Sequence, residues 1–327
     1  MQPLPPPTQP ETPEFERTKG PLPGRGLLPR SSPQTRKRER FMPNLTDLST
    51  IQTLCEKYDF AFNKGFGQNF IVNPGICPRL AESAGVTADC GVLEIGPGIG
   101  VLTKELAKRA KKVVAVEVDD RLPPILAETL AEFDNVKVVL QDVLKVDLHK
   151  LLAEEFAGMR VVVCANLPYY ITSPILMALL EQHLPIDNIT VLVQKEAAER
   201  ISAKPGTRES GAISCAVEYY ARPKMLFNVQ PGSFYPAPKV VSSVIRLDIR
   251  QTPAVQVEDE AAYFALVRAA FGQRRKTAAN AITNGLHLPK ETVNAAITAA
   301  GFDVRVRPEQ LTLQDFAAIR AALDAAR

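Results

Sequence analysis

Between residues 91 and 203, short apolar runs alternate with stretches of helical spacing, and this alternation restricts the fold more than any other feature of the chain. The runs are GVLEIG (91–96), KVVAVEV (112–118), VKVVL (136–140), VVVCA (161–165) and ITVLVQ (189–194). Helical patterns follow them at 101–110, 121–132, 147–156, 172–183 and 195–203. The runs are apolar throughout rather than alternating, as strands are when both faces of a sheet are covered. Strand–helix repetition of this kind predicts an α/β fold with a doubly wound, Rossmann-like parallel sheet. A helix over 211–221 leads to KMLFNVQ and SSVIRLD, which read as an antiparallel pair at the sheet edge joined by a Pro-rich loop. Ahead of the sheet, NLTDLSTIQTLCEKY has a cap-like start and helical spacing. Beyond RQTPAVQ (250–256) the pattern is helical at 258–272, 276–285, 290–300 and 308–325, a small all-α domain. The division expected is a tail over 1–43, a sheet domain over 44–250 and a helical domain over 251–327.

The tail separates itself by composition. Residues 1–41 hold ten of the 27 prolines and cannot supply a core, so disorder is expected there. They carry 8 Lys/Arg against 4 Asp/Glu, leaving 31 against 32 for the remainder, so the overall +3 belongs to the tail. Any basic surface on the folded part must be local. Met42 stands as an alternative start. No apolar run approaches the ~20 residues that cross a bilayer, and residues 1–20 lack the apolar centre of a secretory signal. The five cysteines and three histidines are scattered without CxxC or zinc-type spacing, so no metal is expected. Free thiols fit a reducing cytoplasm.

Ligands of such sheets sit at the carboxyl ends of the strands, and four successive ends carry informative groups. The first is EIGPGIG, where Gly96, Gly98 and Gly100 permit close backbone approach at a helix amino end. The second ends in Glu117, which either accepts from two ribose hydroxyls or is a solvated strand-end acid. The third ends in QDVL, where Asp142 either accepts from an adenine amine or caps the next helix. The fourth ends in Asn166-Leu167-Pro168-Tyr169. Here the Asn166 amide oxygen and the Leu167 carbonyl can both accept from one –NH2, Pro168 fixes the turn, and Tyr169 offers a face for a base. Phe234, in GSFYPAPKV, is either a second wall or an ordinary core residue, and Lys239 a candidate phosphate contact.

Ribose and adenine contacts suit either a nicotinamide dinucleotide or S-adenosylmethionine. GxGxxG needs glycine at 101, where this chain has Val101, and no acid or base stands ready for hydride chemistry. Methyl transfer gives the Asn-Pro-Tyr clamp a task. An exocyclic adenine amine is a poor nucleophile because its lone pair is delocalised, and two acceptors on its –NH2 favour a pyramidal nitrogen and stabilise the charge developing there. The remaining work is positioning. The base must leave its stack to arrive. In the helical region Arg268, Arg274, Arg275 and Lys276 form a basic cluster suited to an RNA backbone, or simply a solvated face; Lys204 and Arg208 flank a loop with the same two readings.

GQNF (67–70), LEIGPGIGVLT (93–103), NLPYYITSP (166–174) and FYPAPKVVSSVIRL (234–247), in this order, resemble the ribosomal RNA adenine N6,N6-dimethyltransferases. The small-subunit dimethyladenosine transferases linked to kasugamycin sensitivity are the nearest branch, and the likeness covers about 45–325. It implies an S-adenosylmethionine-dependent methyltransferase sheet in which Asn69 and Ile71 contact the cofactor, Gly96 lines its methionine part, Glu117 holds the ribose and Asp142 the adenine. It further implies that Asn166 touches both cofactor and target amine, and that Tyr169 and Phe234 sandwich the target. The implied substrate is a pair of adjacent adenines in a hairpin near the 3′ end of small-subunit rRNA, in a partly assembled 30S particle. Ile71 stands where leucine is usual. The tail lies outside the resemblance. Nothing in the sequence suggests an obligate oligomer, so a cytoplasmic monomer is expected. The competing readings are a large-subunit enzyme of the macrolide-resistance type, an RNA-binding assembly factor without essential catalysis, and a nicotinamide oxidoreductase.

Overall fold

The computed structural model describes residues 44–63, 65, 67–273 and 275–326; the expected tail and Arg274 lie outside the described residues. Helix α1 (Leu48–Lys57) is capped by the Asp47 carboxylate, which accepts from Thr50 N. A two-residue strand β1 (Phe70–Ile71) and α2 (Ile76–Ser83) precede the alternation. Then follow β2 (Cys90–Ile95), α3 (Val101–Ala107), β3 (Lys112–Glu117), α4 (Pro123–Thr129), β4 (Val136–Leu140), α5 (Leu148–Glu155), β5 (Arg160–Asn166), α6 (Thr172–Glu181), β6 (Asn188–Gln194) and α7 (Lys195–Ile201). Helix α8 (Ala212–Tyr220) runs directly into β7 (Ala221–Val229), and β8 (Phe234–Tyr235) and β9 (Ser242–Ile249) complete the strands. The chain ends in α9 (Glu260–Phe271), α10 (Ala278–Leu286), α11 (Lys290–Ala299) and α12 (Leu313–Ala325).

The main sheet has the order β4-β3-β2-β5-β6-β9-β7. The first five strands are parallel, and β9 is antiparallel to both of its neighbours. The expected edge pair is thus present with a particular threading: β7 takes the outer edge first, and β9 returns to fill the gap beside β6. Strands β2 and β6 are buried along nearly their whole length because helices cover both faces, whereas edge strand β4 is only half-buried. Order reverses at β2, with β3 on one side and β5 on the other, and the crevice of an open α/β sheet forms at that reversal.

Two apolar clusters fill the layers. One, around Val92, Cys164 and Leu192, packs α1, α2, α3 and α4 on one face. The other covers the opposite face and continues through Tyr219 and Tyr220 of α8 into Tyr263, Phe264 and Phe316 of the terminal helices. The rings of Tyr219, Tyr220, Tyr263 and Phe264 stack and meet edge-on at centroid separations of 4.8–5.6 Å. The Tyr219 and Tyr220 hydroxyls donate to Glu260. The helical region is therefore docked through a continuous apolar core. No helix among the described residues is long and apolar enough to cross a membrane.

Candidate active site at the carboxyl edge of the sheet

A cavity of about 300 Å³ opens at the reversal, lined by residues from the ends of β2, β3, β4 and β5 and from the segment entering β1. Asn69, Ile71, Gly96, Gly98, Glu117, Asp142, Asn166, Leu167 and Tyr169 all line it. Sequence positions far apart arrive there because β2, β3, β4 and β5 end on the same edge, and β1, paired with β8, brings Asn69 and Ile71 to it.

At the end of β5 the Asn166 side-chain nitrogen donates to the Asn69 carbonyl at 3.1 Å. An amide has one donor end and one acceptor end, so this bond directs Oδ1 away from Asn69. Leu167 is anchored through its own N–H, which donates to Leu192 O at 3.1 Å. Among the described residues, no donor bonds to Asn166 Oδ1 or to the Leu167 carbonyl. The turn beyond is held by the Pro168 carbonyl, which accepts from Ile171 N and Thr172 Oγ1. Tyr169 is pinned at its far end by a 2.6 Å hydrogen bond between its hydroxyl and Ser242 Oγ, and burial raises its phenol above the usual range. The ring is a fixed wall.

The two carboxylates behind the glycine loop differ. Glu117 is 5% exposed and accepts from Val118 N, Asp119 N and Gly98 N at 2.8, 2.9 and 3.3 Å. Burial raises its pKa, and those backbone donors act against the rise. Glu94 is 1% exposed and lines the cavity, and among the described residues its Oε2 has no hydrogen-bond partner. Burial pushes its carboxyl up to about 8; the Thr103 hydroxyl opposes that, and the Glu117 charge adds to it. Gly96 has φ +71°, and a Cβ there would project into open space on the cavity wall. Gly98, at φ +58°, packs so closely on Phe70 that a Cβ would lie 3.0 Å from its ring.

Asp142 caps no helix: its Oδ1 accepts from Leu144 N at 3.0 Å in a tight turn, and the cap of α5 is Asp147. The entering segment is tied to β3 by Gln68 Nε2, which donates to Asp119 Oδ2 at 2.7 Å. It is tied to β8 by the antiparallel pairs Phe70–Tyr235 and Ile71–Phe234.

Phe234 is only 3% exposed, packs in the apolar layer, and is not among the residues lining the cavity. Of the two expected walls, Tyr169 is on the cavity; the other aromatic residues on its lining are Phe70 and Tyr170. Lys239 is exposed in the segment between β8 and β9. Arg268 is on α9 and pairs with Glu181 of α6 at 3.0 Å, while Arg275 and Lys276 are exposed just beyond α9. Lys204 lines a separate cleft with Arg222 and Arg250 at the opposite, amino edge of the sheet, which removes it from this site.

The doubly wound sheet, with its glycine loop and Asn-Leu-Pro-Tyr strand end, is that of an S-adenosylmethionine-dependent methyltransferase. A profile of the ribosomal RNA adenine dimethylase family matches residues 59–321, and the chain belongs to that family. It is 47% identical over 279 residues to the ribosomal RNA small subunit methyltransferase A of Alkaliphilus metalliredigens, covering 85% of this chain and 97% of that one. Its fold is that of a dimethyladenosine transferase from Plasmodium falciparum (TM-score 0.61, 24% identity, 76% of this chain and 95% of that one). It also matches the 23S rRNA methyltransferase ErmE (TM-score 0.57, 28% identity, 78% and 100%).

Proposed function

We propose that the protein transfers methyl groups to the N6 amines of adjacent adenines in a hairpin near the 3′ end of 16S rRNA, within the 30S particle, giving N6,N6-dimethyladenosine. The observation that carries this reading is the pair of free acceptors, Asn166 Oδ1 and the Leu167 carbonyl, beside the pinned ring of Tyr169.

The residues present fit the methyl donor. The wall at Gly96 is open where a side chain would fill it, and the unpartnered oxygen of Glu94 suits a cationic ligand. Gly96 and Gly98 would lie along its methionine part, Glu117 at the ribose and Asp142 at the adenine, with Asn69 and Ile71 closing the near side. S-adenosylmethionine supplies a methyl group already activated by its sulfonium.

The protein's part is orientation and charge. Asn166 Oδ1 and the Leu167 carbonyl accept from the two N–H groups of the target amine, which turns its lone pair toward the methyl group. As the nitrogen becomes positive, the same acceptors stabilise it without reorganising, because the Asn69 and Leu192 bonds already hold them. Tyr169 stacks the extruded base at about 1–3 kcal/mol, offsetting part of the lost stacking. Phe234 pairs with Ile71 across the β1–β8 ladder and is buried in the apolar layer, so the stacking is assigned to Tyr169 alone. Lys239, Arg274, Arg275 and Lys276 would contact phosphates. Arg268 would do so by exchanging Glu181 for a phosphate. On this reading residues 251–327 form the RNA-facing domain, and the protein acts as a cytoplasmic monomer.

The relative at 47% identity carries a small-subunit name, which favours that substrate over the large-subunit reading. The test is primer extension on small-subunit rRNA from a strain lacking the protein. Wild-type complementation should restore the stops of dimethylated adenines, and Asn166→Ala should not. Stops that persist in the deletion strain would end the proposal.

A further inference from the structure

Residues 169–171 form a single 3-10 turn, in which successive side chains diverge by about 120°. Tyr169 therefore points inward to Ser242, and Ile171 packs on the core. Tyr170 is left at the mouth of the cavity, 59% exposed, the most exposed large apolar side chain among the described residues. One side of its ring rests against the Gly67 turn: a Cβ on Gly67 would lie 3.4 Å from Tyr170 Cδ1. No described group hydrogen-bonds its hydroxyl. Val118, 49% exposed, stands on the same lining.

A scattered exposed aromatic needs no explanation, but this one adjoins the stacking wall of the target base and is backed by main chain. Extruding one base breaks two stacks: that of the target, which Tyr169 restores, and that of its neighbour, which Tyr169 cannot reach. The Cα atoms of residues 169 and 170 are about 3.8 Å apart, while their rings diverge, so the two cannot clasp one base. They can hold two consecutive ones.

We propose that the exposed face of Tyr170 is a second base-stacking subsite, taking the nucleobase adjacent to the one in the cavity. For adjacent targets this keeps the next adenine at the mouth while the first is modified. The inference rests on the RNA reading above.

The test uses the full-length protein, wild type and the Tyr170→Ala and Tyr170→Phe variants. The RNAs are small-subunit hairpins with 2-aminopurine placed on either side of the target adenine. With wild type and Tyr170→Phe, fluorescence at one of the two positions should be quenched on binding. With Tyr170→Ala that quenching should be lost and RNA affinity should fall about tenfold, the scale of one stacked base. S-adenosylmethionine affinity by calorimetry should be unchanged in all three. Equal quenching in wild type and Tyr170→Ala would overturn the subsite while leaving the RNA reading intact. Weakened S-adenosylmethionine binding with undiminished RNA affinity would assign the ring to the cofactor wall instead. Failure of wild type to bind the hairpins, or 30S particles from the deletion strain, would overturn the RNA reading and the subsite with it.

Discussion

The two edges of the main sheet are built from the same strands and treat their polar groups in opposite ways. At the amino edge most polar groups close on one another, the buried hydroxyl of Ser202 being an exception. Arg160 donates to Gly85 O and Thr87 Oγ1, and Arg246 to Ser83 O and Asp248. Arg250 donates to the carbonyls of Glu218 and Ala221 and to the Glu218 carboxylate. These guanidinium groups satisfy carbonyls at and just beyond the ends of α2 and α8, where helices leave acceptors unpaired and the dipole favours a cation. At the carboxyl edge, Asn166 Oδ1, the Leu167 carbonyl and Glu94 Oε2 have no hydrogen-bond partner among the described residues, and glycines at positive φ replace side chains. Buried polar groups cost free energy when unpaired, so an edge that keeps several is organised around something it binds. The amino edge is scaffold; the carboxyl edge is receptor.

Four measurements would break or sharpen that contrast. The largest effect belongs to the receptor edge. Asn166→Ala should lower turnover by roughly 10²–10³-fold, the cost of one preorganised charge-stabilising group, with melting temperature nearly unchanged. Turnover within a few-fold of wild type would remove the amide from the chemistry.

Next is Glu94. Its folded pKa of about 8 exceeds the ordinary 4.5, so below pH 4.5 the group is protonated in folded and unfolded chains alike. Between these values only the unfolded chain ionises it, and the ligand-free protein should lose stability as pH rises, by a few kcal/mol in all. Urea titrations of wild type and Glu94→Gln across this window should show a flatter profile for the variant; parallel profiles would contradict the assignment.

At the scaffold edge, Arg250→Ala should cost about 2 kcal/mol of stability, since it strands partly buried carbonyls, while leaving kcat/KM within about twofold. A large catalytic loss in protein that remains folded would blur the distinction. The smallest effect is expected at Arg275 and Lys276, both exposed. Reversing their charges should lower the salt slope of 30S binding by about one to two units and spare S-adenosylmethionine binding. An unmoved slope would make them only a solvated face.

The alternation of strands and helices was legible because central strands buried on both faces must be apolar throughout, and the ends of those strands announced most of the cavity. The ladder between β1 and β8 was not, since two residues are too few to show a period, and its partners lie far apart in sequence. Glu94 sat in plain view as the one acid within GVLEI, but only the packed layers reveal that its oxygen is buried and unpaired. The burial of Phe234 and the exposure of Tyr170 depend on how β8 and the 3-10 turn are rotated, which residue type does not encode. The pairing of Arg268 with Glu181 joins two helices distant in sequence, so a count of local charges reads that arginine as free.

The bond from Asn166 to Asn69 has one further consequence. Its acceptor is main chain, which every amino acid supplies. Substituting the side chain at position 69 can therefore perturb whatever that side chain touches, yet the group that orients the working amide survives unless the backbone itself moves. The most exacting alignment in the protein is thereby shielded from the ordinary currency of sequence drift.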